Sequence, residues 1–203
     1  MTKSVTTNEL KKLKFEYYDF SPKFKAAFGS PEKYGVWFIY GDSGNGKTRF
    51  TLQLVKELSS HSKVAYNSLE EGINGTMQKA FAETGLHDCQ NKPLLWSYNI
   101  TDLEAQLDRQ RSPNIVIIDS IQYTRITFKK YAYLKEKYAG KKLLIFISQV
   151  NGKRPKGDTA YSVMYDANLK IYCEGYRAVS KGRTYGTEPF YTIWQKGAND
   201  YWT

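Results

Sequence analysis

The segment Gly41-Asp42-Ser43-Gly44-Asn45-Gly46-Lys47-Thr48 satisfies the pattern GxxxxGK[ST] at every fixed position. Few motifs restrict a fold so tightly, because this one works only where a buried strand ends and a helix begins. The flanks meet that condition. Val36 to Tyr40 is a short apolar run that reads as a strand, and Lys47 to Ser60 carries Phe50, Leu54, Val55 and Leu58 near one helical face. Glycines let backbone N–H groups turn inward around a phosphate without a Cβ clash. The helix N-terminus adds its positive end. Residues 41–49, with Arg49 following the motif, are therefore expected to hold a nucleoside triphosphate, ATP with Mg²⁺. Lys47 would reach the β/γ oxygens and Thr48 would offer its hydroxyl to the metal.

Such a site needs an acid for the metal. Ile115-Val116-Ile117-Ile118-Asp119 is an apolar strand that delivers Asp119 to its C-terminal edge, the edge at which open α/β sheets bind ligands. Asp119 is expected to hold Mg²⁺ mostly through water. Hydrolysis also needs a group to orient water. Glu70 and Glu71 follow the strand Val64 to Leu69 at the same edge, and the residues alone leave the choice between them open, as well as the reading of both as solvated turn acids. Gln149, just past the apolar run Leu143 to Ser148, could sense the γ-phosphate or the attacking water.

The rest of the chain repeats the β–α alternation. Helices are predicted over Ile73 to Thr84, Thr101 to Gln110 and Phe128 to Tyr138, with a short strand at Leu94 to Trp96. Short, fully apolar strands between helices predict an α/β fold with a mostly parallel sheet flanked by helices. After Val150 the pattern changes. Leu169 to Cys173 and Phe190 to Gln195 read as strands separated by a basic turn, which predicts a C-terminal antiparallel extension. Residues 1–30 read as an N-terminal arm, in which Leu10, Leu13, Phe15, Tyr17, Tyr18, Phe20, Phe24 and Phe28 alternate with basic groups. The arm either packs on its own domain or docks on a neighbouring subunit. Residues 31–203 read as one ATPase domain.

Charge narrows the partners. The 203 residues carry a formal net charge of +10. Ten Lys or Arg residues and a single acid, Glu136, lie between Ser120 and Gly157. That balance favours a polyanion such as nucleic acid or an anionic membrane over an acidic surface's cationic partners. Cys89 and Cys173 form no CxxC pair, so a disulfide framework is not expected. His61 and His87 have no metal-ligand spacing with them. No secretory signal pattern and no apolar run near 18 residues occurs, which predicts a soluble, cytoplasmic protein; so compact a core would suit a bacterial or phage-infected cell.

Taken together, the P-loop, Ser68-Leu69-Glu70, the strand end Ile115–Ser120, Ile147-Ser148-Gln149-Val150-Asn151 and Lys181-Gly182-Arg183 resemble the RecA-like P-loop ATPase core, in particular its DnaB-type helicase and RadA-type recombination branches. The resemblance runs from about Gly35 to Trp194. It implies that Glu70, rather than Glu71, positions water. It implies that Lys181 and Arg183 form a Lys-x-Arg finger that reaches the triphosphate of an adjacent subunit, and hence a head-to-tail ring or filament of identical chains. It also implies that the loops Ser120–Thr127 and Asn151–Thr159 face single-stranded DNA. Tyr123, Arg125, Lys153, Arg154 and Lys156 are their candidate contacts, cations for phosphates and an aromatic for stacking. Lys135, Lys137, Lys141 and Lys142 are expected on the far side of the sheet. The resemblance does not separate helicase, recombinase and loader. A regulatory ATPase with a protein partner, a nucleotide-binding structural subunit and a small-molecule kinase remain as alternatives.

Overall fold

The computed structural model describes residues 4–182 and 184–203. Arg183, half of the expected finger, lies outside them. The chain enters through helix α1 (Thr7–Leu10), which is closed by a capping box between Thr6 and Glu9, and helix α2 (Pro22–Phe28). Alternation then begins: β1 (Gly35–Gly41), α3 (Lys47–Ser59), β2 (Val64–Ser68), α4 (Gly75–Thr84), β3 (Leu94–Trp96), α5 (Ile100–Leu107) and β4 (Ile115–Asp119). After a single turn of helix, α6 (Ile121–Thr124), come α7 (Phe128–Tyr138) and β5 (Leu143–Ser148). A small hairpin, β6 (Val150–Asn151) and β7 (Arg154–Pro155), leads to α8 (Asp158–Asp166). The chain closes with β8 (Leu169–Glu174), β9 (Arg177–Ser180), β10 (Tyr191–Thr192) and α9 (Gln195–Trp202).

Eight strands form one sheet in the order β10-β9-β8-β1-β5-β4-β2-β3. Every pairing from β8 to β3 is parallel, and β9 and β10 add antiparallel. The expected α/β architecture, with its parallel centre and antiparallel C-terminal extension, is the one observed. Side-chain alternation divides the core between the two faces. Trp37, Ile39, Tyr66, Ile117 and Ile145 pack with α2, α3 and α4 on the first face. Val36, Phe38, Val116, Leu144 and Phe146 pack with α5, α7 and α8 on the second. The arm is divided too: Tyr18, Phe20, Phe24 and Phe28 are buried against Trp37 and Phe50, whereas Leu10, Leu13, Phe15 and Tyr17 are exposed.

Four local expectations change. The partner of β8 is β9, directly after a Gly175-Tyr176 turn, and only Tyr191–Thr192 of the expected final strand pairs, with β9. Gln195 begins a helix instead of ending a strand. The loop after Asp119 winds into α6, and Asp158 opens a helix. Finally, α5 begins at Ile100 because Asn99, not Thr101, accepts the first free N–H groups, those of Thr101 and Asp102. The basic run is partly neutralised inside the fold: Lys130 and Lys137 converge on Glu104, Lys137 also on Asp108, and Lys135 on Asp166. Lys142, nearly buried, donates to Ser112 Oγ and the Pro113 carbonyl.

Candidate nucleotide site

Residues 41–49 bridge β1 and α3, as the motif requires. Gly41 is sterically obligatory, since a Cβ there would lie 2.1 Å from the Cys173 carbonyl oxygen on the neighbouring strand. Gly46 has φ +87 and would drive a Cβ to 2.9 Å from the Tyr176 ring. Gly46 provides no side-chain cap, so the first N–H groups of α3 remain open to a ligand. Polar side chains brace the loop from below. Asp42 Oδ1 accepts from Ser43 N at 2.8 Å, and Asn45 Oδ1 accepts from Gly175 N at 2.6 Å, tying the loop to the β8–β9 turn. Lys47 Nζ donates to the Asp42 carbonyl at 2.8 Å, and the Arg49 guanidinium lies 5.3 Å from the Trp194 ring.

In front of the loop is a cleft of about 550 Å³ whose walls include Gly44, Lys47, Thr48, Glu70, Glu71, Asp119, Ser120, Gln149 and Tyr176. Pockets of roughly 300–1,000 Å³ suit small ligands. Parallel pairing sets its back wall, because register places Ser68 of β2 beside Asp119 of β4. The Asp119 carbonyl accepts from Leu69 N at 2.6 Å and Glu70 N at 3.1 Å, which turns both glutamates towards the cleft. The Asp119–Ser120 peptide is cis. Glu70 Oε1 accepts from Gln149 Nε2 at 3.1 Å, joining two sequence candidates 79 residues apart.

Burial dominates the electrostatics at the back of the cleft. Burial raises the Asp119 carboxyl to about 6, with the Tyr66 hydrogen bond working against it and Glu70 and Glu71 adding to it. Tyr66 lies in the first core and its hydroxyl donates to Asp119 Oδ2, so the phenol is itself held well above its usual range by burial and by that carboxylate. Among the described residues there is no cluster of three or more His, Cys, Asp or Glu able to hold a metal alone. The oxygen donors nearest the end of β4 and the start of α3 are the Asp119 carboxylate, the Thr48 hydroxyl and Ser120 Oγ, which is buried without a hydrogen-bond partner. This sparse, hard-oxygen set fits Mg²⁺, which keeps several waters and takes the rest of its ligands from phosphates.

The remaining candidates disperse. Lys156 lines the nucleotide cleft. Arg154 lies flat on Tyr161, 3.5 Å from its centroid. Tyr123 is exposed, and Arg125 ends α6 in the left-handed region at φ 52. Lys153 and Lys181 open onto a different pocket, away from the P-loop of their own chain. Tyr66 was not singled out by sequence, and Ser120 and Gln122 entered only as part of the segment that follows the Asp119 strand, with no role of their own. Gln122 accepts from Gln149 N and donates to Ser148 Oγ and the Lys156 carbonyl, so it fastens α6, the end of β5 and the hairpin together. Tyr66 carries no sequence signal beyond its place in the strand that pairs with β4.

No protein-family sequence profile matches the chain, and no curated protein sequence matches it. Solved structures do. A KaiC-like protein of Pyrococcus horikoshii superposes with TM-score 0.62 at 13% identity, covering 85% of this chain and 90% of that one. The flagellar accessory protein FlaH of Methanocaldococcus jannaschii gives 0.60 at 15%, covering 84% and 89%. The ATP synthase subunit NeqB of Nanoarchaeum equitans gives 0.59 at 10%, covering 90% of this chain and 57% of that one. At such identities the likeness establishes the RecA-like P-loop fold and leaves the branch within it open.

Proposed function

We propose that the chain is an ATPase that binds ATP with Mg²⁺ in the cleft at residues 41–49 and hydrolyses it. The observation that carries the reading is the Glu70–Gln149 hydrogen bond at the mouth of a cleft whose walls also include Lys47, Thr48 and Asp119. A P-loop alone would serve nucleotide binding. An acid paired to an amide from another strand supplies what hydrolysis adds, a group to orient water and a neighbour to register the γ-phosphate. Lys47 would neutralise the β/γ oxygens, and Thr48 and Asp119 would hold the metal, which supplies charge stabilisation when bound. We read residues 31–203 as the ATPase unit and residues 1–30 as an arm whose second half packs on that unit, leaving only its exposed first half, with Leu10, Leu13, Phe15 and Tyr17, for a neighbour.

For the partner we favour single-stranded DNA, with chains arranged head to tail so that Lys181 and Arg183 meet a neighbour's triphosphate. The support is the +10 net charge and the position of Lys153 and Arg154 on an exposed hairpin beside the cleft. A second reading, an ATP-binding accessory subunit with a protein partner, draws on the ion pairs that occupy Lys130, Lys135 and Lys137. It also draws on the flagellar accessory protein and ATP synthase subunit among the similar folds. ATP turnover with and without single-stranded DNA, beside a mass measurement of the assembly, separates them. Stimulation that fades with salt supports the first reading; turnover indifferent to DNA supports the second. Loss of Mg-ATP binding in Lys47→Ala is expected on both, and retained binding would overturn the nucleotide site itself.

A further inference from the structure

A second pocket, of about 310 Å³, opens on the sheet's second face, at the C-terminal edge of β1 and β8. Its floor is the ring pair Tyr40–Tyr172, 5.0 Å apart. Across it the Arg177 guanidinium is clamped between Phe190 and Trp202, at 4.3 and 4.8 Å from their centroids. Arg177 Nε is buried with no hydrogen-bond partner, and Arg177 makes no ion pair among the described residues. Lys153, at the tip of the β6–β7 hairpin, and Lys181, beyond β9, complete the rim; among the described residues Glu174 is its sole acid. Trp202 and its neighbour Tyr201 are 45% and 53% exposed.

This arrangement is costly unless something uses it. A stacked guanidinium is fixed in orientation while its N–H edge stays free for bidentate contact with phosphate oxygens. Three cations against one carboxylate favour an anion. Arg177 on β9 and Lys153 on the hairpin reach the pocket from different elements, two separate cationic points that successive phosphates of one strand can meet. Exposed rings beside them add stacking surfaces, the combination that sequence-tolerant strand binding uses. An acidic peptide would meet the cations but gain little from the exposed rings of Tyr201 and Trp202.

We infer that this pocket is a binding groove for single-stranded nucleic acid, in which Arg177 and Lys153 take phosphates and Trp202 takes a base. The inference rests on the single-strand reading above and redraws it: the strand leaves the hairpin at Lys153 and runs across β8 and β9, not along α6 past Tyr123 and Arg125.

The test uses the full chain with a fluorescein-labelled dT20 oligonucleotide, read by anisotropy across a salt series. Lys153→Glu with Arg177→Met keeps an aliphatic stem between the rings, and its fold is checked by near-UV circular dichroism. The double variant should bind about tenfold more weakly, and its salt slope should fall by roughly 1.4, about 0.7 per lost phosphate contact. Arg125→Glu should remain within about twofold of the parent. Oligonucleotide should also quench tryptophan emission in the parent and less so in Trp202→Phe. If the parent binds dT20 and the double variant matches it, the groove assignment falls while the single-strand reading stands. If the parent binds no dT20, both fall, and binding of polyglutamate instead would mark the groove as a peptide site.

Discussion

Replacing Asp119 by Asn should make the ligand-free chain more stable at alkaline pH while removing the metal ligand proposed above. The carboxyl is raised from an ordinary 3.8 to about 6 because burial and two neighbouring glutamates outweigh the Tyr66 hydrogen bond. At about 1.36 kcal/mol per tenfold change in proton affinity, that displacement corresponds to about 3 kcal/mol. A folded-state value above the unfolded one means that protonation favours the folded chain. The contribution is complete below pH 3.8 and is lost as pH climbs through about 6. At pH 8 the parent therefore carries an ionised, partly buried acid at a cost of about 3 kcal/mol. Asn removes the charge and still accepts from the Tyr66 hydroxyl. Urea unfolding in chelator, without nucleotide, should show the Asn variant more stable by up to about 3 kcal/mol at pH 8, or about 6–12 °C in Tm for a chain of this size. The advantage should shrink towards zero near pH 4. Mg-nucleotide should then stabilise the parent and leave the variant unmoved. A difference that stays flat from pH 4 to pH 8, or a variant less stable than the parent at pH 8, would refute the argument.

Glu70→Gln should cut steady-state phosphate release by at least about a hundredfold while a fluorescent ATP analogue still binds; unchanged turnover would remove Glu70 from the role of orienting water. Asn45→Ala leaves the Gly175 N–H without its acceptor, and urea unfolding should register a loss of about 1–2 kcal/mol; no loss would mean the loop does not depend on the β8–β9 turn. Glu104→Gln deprives Lys130 and Lys137 of their shared carboxylate, with an expected cost of about 1–2 kcal/mol at neutral pH. The lysine hydrogen bonds hold Glu104 down at about 2, from 4.5, so its contribution is present above 4.5 and is lost as pH falls through about 2. Parent and variant should therefore converge in strong acid, and a gap that persists there would contradict the assignment.

What could be read from the sequence follows from how local its cause is. The P-loop, the strand ending at Asp119 and the glutamate after β2 are contiguous patterns, and parallel pairing carried them to one edge without further information. Asn99 took over as cap from Thr101 within two residues, the ordinary scale of boundary error. The dispersal of the basic run was not legible. Lys130, Lys135 and Lys137 find Glu104, Asp108 and Asp166, acids distant in sequence that only helix packing brings near. Likewise Tyr66 reads as one more core aromatic in β2, and only register with β4 places its hydroxyl against Asp119. Arg177 was passed over because β9 is four residues long and has no apolar run to announce it.

The ends of the sheet bear on how copies of this chain can meet. One outer strand, β3, has three residues and the other, β10, has two. Borders so brief offer almost no unsatisfied main-chain amides or carbonyls, and they guard against runaway stacking of one molecule's sheet onto the next. Self-association must then be read through side chains, where a single charge reversal can dissolve it, and should be more sensitive to ionic strength than a continuous intermolecular ladder would be.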